Sequence, residues 1–352
     1  VKDPDGKEYY DFLSAYSAVN QGHRHPRIIK ALVDQANVCT LTSRAFHNDS
    51  MGLFLKKLCE FTGYEMALPM NTGVEAVETA IKAARRWGAE VKGVPNGKQE
   101  VICADDNFHG RTLVAISMSN DPDSTVNYGP YVPGFVRVPY GDADAIVKAI
   151  TPNTVAVIVE PMSGSAGVII PPKGYLQSLR DICTANNILL IFDEVITGFG
   201  RMGAMSGAEA FGVTPDIMNC AKQITNGAQP LGAVLAKKEI YDTFMAQGGP
   251  EYLLEFTHGY TYSAHPVPCA VGLATLDILV RENMVDRVKA LSPTFEDAVH
   301  SLKGSKHITD IRNYGLAAGF TIDAVPGEPA KRPYEIAMAM LKKGFYVRYG
   351  GD

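Results

Sequence analysis

Between Tyr64 and Gly232 short apolar runs alternate with amphipathic stretches, which is how a mainly parallel sheet covered by helices reads. Val155–Val159 and Ile188–Phe192 are apolar without alternation, as strands buried on both faces should be. Between them Tyr175, Leu176, Leu179, Ile182 and Cys183 recur at helical spacing, so this stretch predicts a strand–helix–strand unit. A second helix follows Asn71-Thr72-Gly73. Val74, Val77, Ile81, Ala84 and Trp87 form its apolar stripe, Lys82, Arg85 and Arg86 its polar side, and Gly88 its expected end. After about Glu282 the pattern changes to a charged helix over 282–302, strand-like pieces near 308–311 and 316–322, and a helix over 333–343. The fold class is therefore α/β, with a separate α+β layer near the C-terminal end.

A chain of 352 residues, 46% hydrophobic and 20% charged, has room for one large core and a smaller one, so two domains are expected. The net charge of −5 and the lack of any long Lys/Arg run argue against nucleic acid as a partner. No apolar stretch approaches the roughly 20 residues of a bilayer span, which argues against a membrane protein. Val1-Lys2-Asp3-Pro4-Asp5-Gly6 opens inside a turn, with neither a signal nor a transit pattern. Localisation defaults to the cytoplasm, with the mitochondrial matrix left open. The six cysteines are scattered without a CxxC pair and are read as reduced and buried. His23-Arg24-His25-Pro26 lacks further ligands at metal spacing and reads as a turn before a helix, so no metal is expected. Nor does any G-x-G-x-x-G follow a strand, which disfavours a nicotinamide cofactor.

Leu190-Ile-Phe-Asp193-Glu-Val195 puts a carboxylate at a strand end 222 − 193 = 29 residues before Lys222. A buried aspartate and a nearby lysine are what pyridoxal 5'-phosphate requires. The carboxylate keeps the pyridine nitrogen protonated, and the amine holds the aldehyde as a Schiff base. Alone the pair reads more often as a strand-end cap and a solvated surface lysine. Met70-Asn71-Thr72-Gly73-Val74-Glu75 is a strand-to-helix turn able to hold a phosphate on its N–H groups, or one in which Thr72 simply caps the helix. Asn107-Phe108-His109-Gly110-Arg111 places a ring just past another strand end, suited to stacking on a flat cofactor or to an ordinary core. Glu160 follows a third strand and reads as structural or catalytic. In an open α/β sheet these strand ends share one edge.

These segments resemble the class III, fold-type I pyridoxal-phosphate aminotransferases along essentially the whole chain. The most specific pieces are Asn71-Thr-Gly-Val-Glu-Ala76, Asp193-Glu-Val-Ile-Thr-Gly-Phe-Gly-Arg201 and the Lys222 segment. The resemblance implies a large domain over 17–284 on a mainly parallel seven-stranded sheet, and a smaller domain from 1–16 and 285–352. It also implies that Lys222 and Asp193 are catalytic, that Phe108 and Val195 pack on the two ring faces, that Gly73 and Val74 take the phosphate, and that Glu160 lies in the cofactor site. Thr261 would reach the cofactor of a neighbouring subunit, in an obligate homodimer or higher homo-oligomer. Phe12–Gly22, Leu68–Gly73 and Asn107–Thr112 look like ornithine aminotransferase, where residues matching Tyr16 and Arg111 bind the substrate. Gly164–Gly167, Thr225–Gly227 and His258–Pro266 look like ω-amino acid:pyruvate aminotransferase. Ser165 stands where ornithine aminotransferase has a glutamate that pairs with a C-terminal arginine, and Ile196 replaces a glutamine. The family arginine is expected beyond Gly350-Gly351-Asp352. The implied activity is a ping-pong transfer of the terminal amine of an ornithine-like or β-alanine-like amino acid to a 2-oxo acid. A decarboxylase or aminomutase on the same fold, or a catalytically silent cofactor-binding protein, is the alternative.

Overall fold

The computed structural model describes residues 1–43, 45–246 and 256–350, so Gly351 and Asp352 lie outside the described residues. The two uninterrupted apolar runs become the middle of the sheet. Strand β5 (Thr154–Val159) and strand β6 (Leu189–Asp193) are buried at every residue and pair in parallel. The rest of the sheet is β2 (Met66–Met70), β3 (Glu100–Ala104), β4 (Phe135–Val138), β7 (Ile217–Cys220) and β8 (Gly232–Ala236), in the order β2-β8-β7-β6-β5-β3-β4. Only β8 runs against its neighbours. The C-terminal ends of β2, β3, β5, β6 and β7 therefore share one edge, and β8 enters from that edge.

Each face of the sheet is closed by a helix whose stripe the sequence displays. Leu176, Leu179 and Cys183 of the helix Tyr175–Ala185 bury against Val157, Leu190 and Phe192. On the other face Ala76, Val77, Ala80, Ala84 and Trp87 bury against Val101, Val155, Ile191 and Ile217. Each large apolar side chain fully buried in this way contributes roughly 1.5–3 kcal/mol.

Gly88 does not end the second of these helices, as the sequence suggested. The helix runs Gly73–Lys92 and is closed by left-handed Gly93. A Cβ on Gly88 would lie 2.1 Å from Val155 Cγ1, so this glycine is where helix and sheet touch most closely. The later elements follow the expected pattern with shifted bounds: a helix Met284–His300, an antiparallel pair β9 (Ile308–Tyr314) and β10 (Ala317–Ile322), and a helix Lys331–Lys342. All six cysteines are free; four are buried, but Cys39 and Cys59 are only half-buried, contrary to expectation. No helix among the described residues is long and apolar enough to cross a membrane.

Near the chain ends, β1 (Tyr10–Asp11) pairs in parallel with β11 (Phe345–Tyr346). Between β1 and the sheet, Ser14, Ala15, Tyr16 and Ser17 all have φ between 49° and 66°. Left-handed turns of this kind cost L-residues roughly 1–2 kcal/mol each, so neighbours must hold them. Asp11 Oδ1 accepts the N–H groups of Leu13 and Ser14 at 2.9 and 2.8 Å, and Ser17 Oγ accepts from Arg201 Nε at 2.8 Å and Gln223 Nε2 at 3.1 Å.

Candidate active site

A cavity of about 390 Å³ opens at the shared strand edge. Its lining includes Gly73 and Val74 after β2, Phe108 and His109 after β3, Glu160 after β5, Asp193 and Val195 at the end of β6, and Lys222 after β7. Every cofactor-site residue expected from the sequence, except Thr261, thus meets in one place. The cavity follows from topology: five strands running one way deliver five short loops to one edge.

At the β2 end, Thr72 is extended and caps the helix by accepting Glu75 N–H at 3.2 Å, while Glu75 Oε2 accepts Asn71 N–H at 2.7 Å. The cap thus serves the third helical N–H, and Gly73 and Val74 keep N–H groups without a partner among the described residues. These groups sit at the positive end of a twenty-residue helix. Capping and anion binding are therefore compatible here rather than rival readings.

Phe108 is 37% exposed, so it is a cavity wall and not a core residue. Gly110 makes the tight turn behind it, with φ +131° and a position where a Cβ would lie 2.4 Å from Val74 Cγ2. Asp193, the last residue of β6, lines the cavity, whereas the next residue, Glu194, does not. Glu194 accepts from Gly207 and Ala208 N–H at 2.7 Å each and from Thr197 Oγ1, which occupies it structurally. Asp193 faces the cavity, where its Oδ1 accepts Val195 N–H at 3.1 Å and its Oδ2 lies 2.8 Å from His109 Nδ1.

The buried polar groups perturb one another. Burial pushes the Glu160 pKa up to about 7, with Asp193 adding to the rise and His109 opposing it. Glu160 also accepts weakly from Phe108 N–H at 3.2 Å and Gly164 N–H at 3.3 Å. Burial opposes a charge on His109, but the hydrogen bond to Asp193 and the charges of Asp193 and Glu160 outweigh it and raise its pKa. Lys222 is half-buried with φ +48° and forms no ion pair among the described residues. Burial holds its pKa below the usual lysine value, although Asp193 and Glu160 pull the other way.

The substrate-side residues read from the sequence sit outside this lining. Arg111 is exposed, lies over the Phe108 ring at 5.1 Å and donates to Ser124 Oγ at 2.7 Å. Tyr16 is exposed on the left-handed turn, and Ser165 is exposed on the turn closed by the Ser163–Ile169 bridge. Thr261 is exposed and away from the cavity of its own chain. The sequence reading missed two residues. Nothing in the Asn107–Arg111 motif marks His109 as the partner of Asp193, and nothing near Arg348 places its guanidinium 5.5 Å from the centre of the Tyr16 ring.

Comparison with known proteins agrees with this geometry. The family model described as aminotransferase class-III matches residues 1–352. Ornithine aminotransferase of Oceanobacillus iheyensis is 51% identical over 319 residues, which is 91% of this chain and 78% of that protein. That of Bacillus subtilis is 46% identical over 334 residues, 95% of this chain and 80% of that protein. The solved ornithine aminotransferase of Toxoplasma gondii, described with partial occupancy of PLP at its active site, superposes with a TM-score of 0.92 at 38% identity, covering 100% of this chain and 81% of that one. An (S)-enantioselective ω-transaminase from Thermomicrobium roseum superposes at 0.91 and 29% identity, over 100% of this chain and 84% of that one. The chain belongs to the class III aminotransferases and is a pyridoxal-phosphate-dependent ω-aminotransferase.

Proposed function

We propose that this enzyme takes the terminal amine of ornithine, or of a closely similar ω-amino acid, and passes it to a 2-oxo acid in a ping-pong cycle. The observation that carries the reading is the meeting of Asp193, Lys222, Phe108, Val195 and the open N–H pair of Gly73 and Val74 on one cavity. These residues fit pyridoxal phosphate. Gly73 leaves clear a position where a Cβ would lie 3.0 Å from Val195 Cγ2, and its open N–H groups suit a phosphate. Asp193 supplies an anion for the ring nitrogen, while Phe108 and Val195 offer apolar surface to the two ring faces. When bound, the cofactor supplies an electron sink for the substrate carbon.

With pyridoxal phosphate bound, Lys222 would be the residue that holds its aldehyde. Freed by the substrate amine, its Nζ would carry the proton removed from the substrate carbon, a task suited to an amine whose charge burial disfavours. Arg111 receives the donor's α-carboxylate beside Tyr16. Serine at 165 cannot neutralise an arginine, so the glutamate–arginine pair implied by the resemblance would be missing here. Ser165 and the Arg348–Tyr16 contact favour a second reading, in which a short donor such as β-alanine binds through Arg348 and pyruvate is the acceptor.

The same reading makes the enzyme a homodimer. Phe46, 69% exposed, and Leu41 line a cleft with Gly259 and Ser263, beside exposed Thr261 and the 59% exposed Tyr262. Covering that face with a second copy would bring Thr261 to the partner's cofactor phosphate. Residues 17–284 form the cofactor-binding domain and 1–16 with 285–352 the small one, a division supported by the β1–β11 pairing.

A single-turnover visible spectrum of the cofactor-loaded protein tests the donor, using L-ornithine or β-alanine without an acceptor. Loss of the cofactor's visible band with ornithine alone supports the first reading. Loss with β-alanine alone favours the second, and no change with either overturns both.

A further inference from the structure

His109 is a polar wall of the cavity to which the reading above gives no task. Its side chain is completely buried. Its only polar contact among the described residues is Nδ1 to Asp193 Oδ2 at 2.8 Å, and its Nε2 has no partner. Asp193 as a carboxylate can only accept, so Nδ1 carries the proton. An imidazole is a costly way to fill space, since an apolar side chain would pack here without leaving a buried nitrogen unpaired. Its hydrogen bond has a geometric effect instead. With Val195 N–H fixing Oδ1 and His109 fixing Oδ2, the Asp193 carboxylate cannot rotate about its Cβ–Cγ bond without losing both donors.

We infer that His109 is a positioning residue, which locks the plane of the Asp193 carboxylate so that one oxygen lone pair faces the cofactor's ring nitrogen. The inference rests on the reading of Asp193 given above. The loop after β3 then serves the cofactor twice, Phe108 against a ring face and His109 through Asp193 at the ring edge. Gly110, by letting the loop close on Val74, makes both placements possible.

The test measures how tightly the apoenzyme binds pyridoxal phosphate and its carbocyclic analogue, in which C–H replaces the ring nitrogen. Wild type is compared with His109→Leu, His109→Asn and Asp193→Ala. Asparagine can present its amide N–H near the place of Nδ1. Losing a hydrogen bond to a charged group predicts that His109→Leu weakens pyridoxal phosphate about tenfold or more, while His109→Asn stays within about threefold. For the analogue both variants should match wild type, because the atom that senses the carboxylate is gone. In steady state, kcat should fall in His109→Leu with KM for the donor little changed. Equal weakening of both ligands would make His109 merely structural, and no weakening of either would make it idle; each outcome overturns the inference. If Asp193→Ala weakens both ligands equally, or neither, the assignment of Asp193 falls, and the role of His109 with it.

Discussion

Glu160 is a carboxyl group placed where ionisation is disfavoured, because it is buried beside Asp193 and its donors, Phe108 N–H, Gly164 N–H and Ser163 Oγ, all lie at 3.2–3.4 Å. Its pKa rises from the ordinary value of 4.5 to about 7. Between those values the folded protein binds more protons than the unfolded chain, so this group's contribution to stability falls as pH rises through that window. Glu160→Gln imitates the protonated form. Thermal unfolding of the apoenzyme should therefore show the variant gaining on wild type at pH 8 compared with pH 5.5. A difference that does not change with pH would show that Glu160 ionises freely. The residues that sequence makes legible are those whose chemistry admits few substitutes, such as Asp193 and Lys222. Arg348 was illegible for the opposite reason. Nothing in Tyr346-Val-Arg-Tyr349 says that the Arg348 guanidinium covers the Tyr16 ring.

Periodicity found the elements and misjudged where one of them stops. Gly88 looked like a terminus because glycine commonly ends helices, yet the helix continues to Lys92 since tertiary contact outweighs a propensity loss of about 1 kcal/mol. The signal that would have distinguished the cases lies 67 residues away in sequence, at Val155, whose Cγ1 occupies the space a Cβ would need. Gly88→Ala should therefore destabilise by roughly 1–3 kcal/mol despite alanine's better helix propensity. Gly88→Ala combined with Val155→Ala should recover part of that loss, a non-additivity that denaturant midpoints of the four proteins in the cycle would reveal. Strict additivity would mean that the helix can move away from β5. The turn Ser14–Ser17 was illegible too. No residue type there advertises four consecutive left-handed conformations, which depend on Asp11, Arg201 and Gln223 for their hydrogen bonds.

At the scale of the whole molecule, the cavity of one chain contains everything the cofactor reading needs except Thr261, which faces outward beside an apolar cleft. A composite site, with Thr261 supplied by the second copy, accounts for both observations and leads to a distinctive prediction. Losing a hydrogen bond to a phosphate should cost Thr261→Ala about tenfold or more in cofactor affinity, so at limiting pyridoxal phosphate its homodimer is largely inactive. The Lys222→Ala homodimer is inactive at any cofactor concentration, having lost the amine itself. A mixed dimer of the two variants, purified through two different tags, then separates the arrangements. If Thr261 acts across the interface, the chain with intact Lys222 receives threonine from its Lys222→Ala partner, so one of the two sites is complete. The mixed dimer should recover about half of wild-type activity at limiting cofactor. If Thr261 serves its own chain, the only chain with Lys222 still lacks its threonine and nothing is recovered, which would remove the case for a shared site.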